Sequence, residues 1–177
     1  RAGGRPAVSA PEFSHRVPLD RLKRQGETIR LEAGAAAREA LARRFGLLAL
    51  PRLSAGLMVR RTVGGAEAEG RLEAEAVQAC VLTGEPVTTQ VNEPVRLRFA
   101  ALADAAGDEV ELSAEDLDTL AIDDGAIDLG EAVAQSLALA LPPYPRIAGA
   151  TVPGVSSEEA EAGRRRAASP FAALRRP

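Results

Sequence analysis

From residue 47 to residue 99 the pattern of side chains takes a period of two, and nothing else in the chain restricts its fold as much. Residues 53–63 alternate through Leu57, Val59 and Arg61, and Gly64-Gly65 then supplies a hairpin turn. Residues 66–78 return as AEAEGRLEAEAVQ, with Glu67, Glu69, Arg71, Glu73 and Glu75 on one face. Ala66, Ala68, Leu72, Ala74 and Ala76 occupy the other. Residues 80–84 form the next corner, and residues 86–99 run back as a long strand ending in Val95, Leu97 and Phe99. The pattern predicts an antiparallel meander of three long strands with one polar face. Pro94, after Asn92-Glu93, predicts a bulge or an edge position, because proline cannot donate to a central ladder.

The flanks add shorter elements. Residues 12–17 read as a short strand with Phe13, His15 and Val17 on one side. Residues 18–24 make a basic connection, Gly26 marks a turn, and residues 27–33 alternate as a second strand. Residues 35–45 form a helix that stops at Gly46, leaving Arg38, Arg43 and Arg44 on its exposed side. Residues 103–120 are acidic without a period and read as a surface loop. Asp123, Asp124 and Gly125 form a turn. Asp128 and Glu131 have capping-box spacing, Asp128 accepting from the Glu131 N–H and Glu131 reaching back to the Asp128 N–H. Leu129, Val133, Leu137 and Leu141 make a helical ridge that Pro142 and Pro143 end.

These elements predict an α+β fold: an antiparallel, curled or barrel-like sheet with two main helices and a flexible basic C-terminal tail. Length suits one domain over residues 12–150, after a disordered segment 1–11. Residues 151–177 read as a mobile tail with a short docking element, Phe171 and Leu174 being one helical turn apart. With 3% aromatic residues, the core has to be built from Leu, Val and Ala.

Net charge is −3, yet its distribution is uneven. Residues 1–61 carry +8, residues 62–163 carry −16 and residues 164–177 carry +5. Such a chain can present a cationic face while staying acidic overall, with the acidic middle turned away from any RNA or towards a basic protein partner. No apolar run reaches the roughly 20 residues of a membrane span, and residues 1–10 lack a secretory apolar segment. A single cysteine fits a reducing compartment, and the expected location is cytoplasmic.

Catalysis finds little support. His15 is the only histidine, and Cys80 has Thr83 where a CxxC pair would need its second cysteine. A zinc site built from cysteine and histidine is out of reach, and no cofactor or small-molecule substrate is expected. There is no phosphate-binding glycine motif. Asp123, Asp124, Asp128 and Glu131 have the makings of a carboxylate cluster for Mg²⁺, but capping explains Asp128 and Glu131 more simply and a turn explains the other two. A hydrolase using Cys80 or these carboxylates is the weakest reading.

Several of these segments together resemble a known family. They are the corner Cys80-Val-Leu-Thr-Gly-Glu-Pro-Val87, then Val95-Arg-Leu-Arg-Phe99, Ile127-Asp-Leu-Gly-Glu131, Leu139-Ala-Leu-Pro-Pro-Tyr-Pro-Arg146 and Ser169-Pro-Phe-Ala-Ala-Leu174. Their order and spacing resemble the YceD family, the large ribosomal RNA subunit accumulation proteins of bacteria and plastids, over about residues 13–176. The alanine- and arginine-rich style resembles its alphaproteobacterial branch. Some relatives carry CxxC at the strand corner; Thr83 departs from it, so no metal is carried over.

The resemblance implies a non-enzymatic role in large-subunit ribosome biogenesis, in the accumulation or processing of 23S rRNA. RNA binding requires cations that track phosphates. The candidates are Arg21, Lys23, Arg24, Arg38, Arg43, Arg44, Arg60, Arg61, Arg164, Arg165 and Arg166. Tyr144, Arg146, Phe171 and Leu174 are candidate contacts to a partner, a ribosomal protein or assembly factor. The rival reading is a protein–protein adaptor with an acidic face and no direct RNA contact.

Overall fold

A computed structural model describes residues 11–100 and 119–149. Strand β1 (Arg16–Pro18) leads into a single 3-10 turn, Leu19–Arg21, and then β2 (Glu27–Glu32). Helix α1 (Ala35–Phe45) follows. It ends at Gly46, whose φ of 66° is the left-handed cap conformation that glycine adopts without strain. Three long strands come next: β3 (Ala49–Arg61), β4 (Gly65–Ala79) and β5 (Pro86–Ala100). Short strands β6 (Thr119–Ala121) and β7 (Ala126–Asp128) precede helix α2 (Leu129–Ala140).

The main sheet has the order β2-β3-β4-β5-β6, and β1 pairs with β7 in a separate two-stranded sheet. The long strands are antiparallel, as the alternation predicts, while β6 runs parallel to β5 through Arg98–Ala100. The expected curled or barrel-like closure is not found. The sheet is open, with β2 at one edge and three-residue β6 at the other. Closure would need those edges to pair; the apolar face is covered instead by α1, α2 and the N-terminal segment.

Pro94 pairs opposite Arg71 in a β4–β5 register that runs unbroken from Gly65↔Ala100 to Ala79↔Pro86. The outer side of β5 is unpaired there among the described residues, since β6 reaches only Arg98–Ala100. The edge option for Pro94 therefore holds and the bulge option does not. The one irregularity of the meander lies between Ala49 and Arg52 of β3.

Period two maps directly onto burial. Leu53, Leu57 and Val59 of β3 are buried, as are Ala66, Ala68, Leu72, Ala74 and Ala76 of β4 and Val91, Val95 and Phe99 of β5. Leu129, Val133 and Leu137 of α2 complete this core, with Leu41 of α1. Each fully buried Leu or Val contributes about 1.5–3 kcal/mol.

The N-terminal segment was expected as a strand over residues 12–17, but only Arg16–Pro18 pair. Phe13 and Val17 are buried and His15 is exposed, so the three do not share a buried face. Residues 13–15 instead lie over the start of α2. Thr119 and Leu120 close the segment expected as a loop, yet they belong to β6.

Candidate functional site

The first cluster of polar residues surrounds the N-terminus of α2. Asp124 has a φ of 48° and Gly125 a φ of 69°, and Asp123 and Ala126 exchange two backbone hydrogen bonds at 3.1 and 3.0 Å. Two consecutive positive φ values are what a tight two-residue hairpin needs, and the chain turns directly into β7. Asp128 then caps α2. Its Oδ1 accepts from the N–H of Gly130 at 3.0 Å and of Glu131 at 3.2 Å. It accepts as well from the His15 N–H at 2.8 Å, while Oδ2 accepts from the Ser14 hydroxyl at 2.5 Å.

Gly130 is required by this crossing. A Cβ there would stand 2.7 Å from the Phe13 carbonyl oxygen and 2.8 Å from the His15 nitrogen. Glu131 does not close the capping box. Its carboxylate receives both arms of the Arg44 guanidinium, at 2.9 and 2.7 Å, and Arg44 also donates to Glu12 at 3.0 Å. The guanidinium engages both carboxylate oxygens at once and brings a full positive charge, where the backbone N–H would offer a single bond. Hydrogen bonding from Arg44 holds the Glu131 carboxyl below its usual range against the opposing effect of burial. The same bonds, chiefly from Glu131, push the Arg44 guanidinium upward.

The four carboxylates considered for hydrolysis therefore do not converge. Asp128 and Glu131 are engaged as above, Asp123 meets Arg16 at 3.5 Å, and Asp124 sits exposed in the turn. Among the described residues no three of His, Cys, Asp and Glu are grouped so as to hold a metal.

The second cluster joins the β4–β5 corner to the chain leaving α2. Val81 N–H donates to the Pro145 carbonyl at 3.0 Å, and Gln78 Nε2 donates to the Pro142 carbonyl at 3.1 Å. Prolines lack an N–H but keep a carbonyl, so the rigid Pro-Pro-Tyr-Pro segment is held through acceptors alone. Cys80 is 2% exposed at the base of the corner. Its thiol is brought down to about 7, first by the Thr83 hydroxyl and then by the backbone of Ile147 and Leu82. Thr83, where a second cysteine would stand in CxxC, donates its hydroxyl to Glu85 at 3.3 Å and accepts from the Glu85 N–H at 3.3 Å. Tyr144 points outward, 74% exposed, and Arg146 is exposed beside it in sequence.

The cations separate into distinct groups. The Lys23 carbonyl accepts from the N–H of Arg61 and of Gly26, each at 3.2 Å, which sets the 3-10 turn and its successor against the end of β3. Arg21, Lys23 and Arg24 are thereby brought to Arg61, and all four are exposed. Arg60 beside them is paired to Glu67 at 2.5 Å. Arg38, Glu39 and Arg43 of α1 line a groove with Leu47 and Leu48 at the opposite end of β3. Arg38 is partly used, donating to the Ala33 carbonyl at 2.6 Å, and Arg44 is committed to Glu131. Arg164, Arg165, Arg166, Phe171 and Leu174 lie outside the described residues.

Sequence reasoning passed over Arg30, Arg52, Arg71, Arg96 and Arg98, all exposed on the open face of the sheet. Their places on the polar face of alternating strands, even in β2, β3 and β5 and odd in β4, were the available signal. This face also corrects the idea of a segregated acidic middle. Antiparallel pairing sets the glutamates of β4 against arginines of β3 and β5: Arg60 opposite Glu67, Glu67 opposite Arg98, and Glu69 opposite Arg96. Arg52 binds Glu73 at 3.1 Å diagonally across β3 and β4. Blocks of opposite sign in the chain become a mixed face in the sheet.

Geometry and chemistry together define an α+β domain in which Asp128 caps α2, Glu131 holds Arg44, and Arg21, Lys23, Arg24 and Arg61 lie at the surface. Residues 68–176 match the family model described as large ribosomal RNA subunit accumulation protein YceD, and the chain belongs to that family. Membership implies a role in large ribosomal RNA subunit accumulation. The match begins within β4, so β1 to β3 and α1 precede it, a narrower span than the likeness over residues 13–176. No curated protein and no solved structure matches the chain. No helix among the described residues is long and apolar enough to cross a membrane.

Proposed function

We propose that this protein is a non-enzymatic, cytoplasmic factor of large ribosomal subunit biogenesis that binds 23S rRNA or its precursor through backbone phosphates. The observation that carries the reading is the gathering of Arg21, Lys23, Arg24 and Arg61 at one end of β3, by the two hydrogen bonds onto the Lys23 carbonyl. None of the four has a carboxylate within ion-pair distance among the described residues. Arg38 and Arg43 form a second cationic group. Arg44 and Arg60, engaged internally, contribute less than the sequence suggested. Residues 12–150 act as the domain, and the tail 151–177 adds Arg164, Arg165 and Arg166 for phosphate and Phe171 and Leu174 for a partner. Tyr144 and Arg146 offer a further contact to a ribosomal protein or assembly factor. The chain's composition supports an alphaproteobacterial-type member.

The adaptor reading draws on the mixed Arg/Glu face of the sheet, which can meet a protein as well as an acid. Sedimentation of tagged protein from cell lysate, at about 50 and about 200 mM salt with sequencing of the associated RNA, separates the two. Cofractionation with immature large-subunit particles, lost by roughly a thousandfold in affinity at the higher salt, is the expected result. Sedimentation as free protein at both salts would remove the rRNA contact and leave the adaptor.

A further inference from the structure

Resting on that reading, the spacing of the cations bears on the form of RNA taken. Arg21, Lys23, Arg24 and Arg61 stand at the last residues of β3, while Arg38 and Arg43 stand beside Ala49, Leu50 and Pro51 at its beginning. From Pro51 to Arg61 the strand is extended, so the groups lie about 30 Å apart at about 3.3 Å per residue. Between them Arg52 and Arg60 are held by Glu73 and Glu67, while Arg30 of β2 and Arg71 of β4, both opposite Gly56, stand midway along the span with Glu32 and Glu73 beside them. A compact anion reaches one group only.

We propose that the ligand is a double-helical RNA segment of about ten base pairs or more, which places phosphates on both groups at once. Stacking platforms of the kind that hold single strands are scarce among the described residues. Phe13 and Phe99 are buried, and Phe45 lies beneath the Arg44 guanidinium, 5.4 Å from it. Tyr144 is the one exposed aromatic among them, and it lies in neither group. Cations without stacking faces suit an RNA duplex, which is read by shape and backbone. A stiff duplex spanning the length of β3 turns the second contact into an intramolecular one. Two modest sites then combine without any new interaction.

The test is anisotropy titration of the full chain at about 50 mM salt with RNA duplexes of about 8 and about 20 base pairs and an unstructured strand of about 20 nucleotides. The longer duplex is expected to bind about a hundredfold tighter than the shorter. Arg43→Glu at one end, and Lys23→Glu with Arg24→Glu at the other, should each cut that advantage below about tenfold. These side chains make no ion pair among the described residues, so circular dichroism should be unchanged. An equal length advantage in wild type and both variants overturns the two-point contact. So does tighter binding of the single strand than of the long duplex, or equal binding of both duplexes, although RNA binding itself would stand. Failure of all three RNAs to bind folded wild-type protein overturns the RNA reading as well.

Discussion

At the N-terminus of α2, four donors converge on Asp128 and a bidentate pair joins Arg44 to Glu131. At the end of β3, by contrast, Arg21, Lys23, Arg24 and Arg61 lie in the open with no carboxylate partner among the described residues. Both regions are dense in charge. In the first, Asp128, Glu131 and Arg44 each satisfy a neighbour and link residues far apart in sequence. In the second, only main-chain bonds fix the geometry, and the side chains remain available. Partnership, more than charge density, distinguishes a structural cluster from a surface suited to binding.

Mutations should separate the two regions sharply. Gly130→Val, placing atoms against the Phe13 carbonyl and the His15 nitrogen, is expected to cost about 3 kcal/mol, a fall of roughly 10 °C in Tm. A melt within about 2 °C of wild type would mean that the N-terminal segment moves aside freely. Asp128→Ala removes a cap and two long-range hydrogen bonds, and should cost about 2 kcal/mol by urea titration. A loss near 1 kcal/mol would assign the residue to capping alone.

At the other end of the comparison, Lys23→Glu with Arg24→Glu should leave Tm within about 2 °C while weakening RNA binding at least tenfold and flattening its salt dependence. A large drop in Tm would place these side chains in the structural class.

Acid sharpens the contrast further. The folded Glu131 carboxyl titrates below the 4.5 of the free group, so its contribution is present above that value and is lost as pH falls through the lower one. Wild-type stability should therefore drop more steeply than that of Glu131→Gln from about pH 5 downward, followed by denaturant titration at each pH. Parallel curves would show that the pair with Arg44 adds nothing in solution. The smallest effect is expected from Arg60→Ala, which breaks an exposed pair with Glu67 and should change stability by less than about 0.5 kcal/mol.

Much of this was readable beforehand, for local reasons. The long strands announced themselves because burial on one face imposes period two over 13 to 15 residues. Helix α1 was bounded by its alanine-rich run and Gly46, and the Asp128 cap by its spacing before Leu129. Three-residue strands carry no such period, so β6 and β7 escaped, although Asp124-Gly125 between apolar residues was a usable hairpin signal. The destination of Glu131 was misjudged because Arg44 lies 87 residues away, and no local pattern encodes that approach.

Alternation, turn residues and caps are short-range properties, and from them the sequence alone determined the meander, both helices, the Asp128 cap and the stop at Pro142 and Pro143. Only the tertiary structure decided that the sheet stays open, that opposite charge blocks interleave across β3, β4 and β5, and that Lys23 meets Arg61 while Arg44 is withdrawn. Those outcomes depend on which distant surfaces come together to bury apolar area, and side-chain charges are then paired or left free by where that packing carries them.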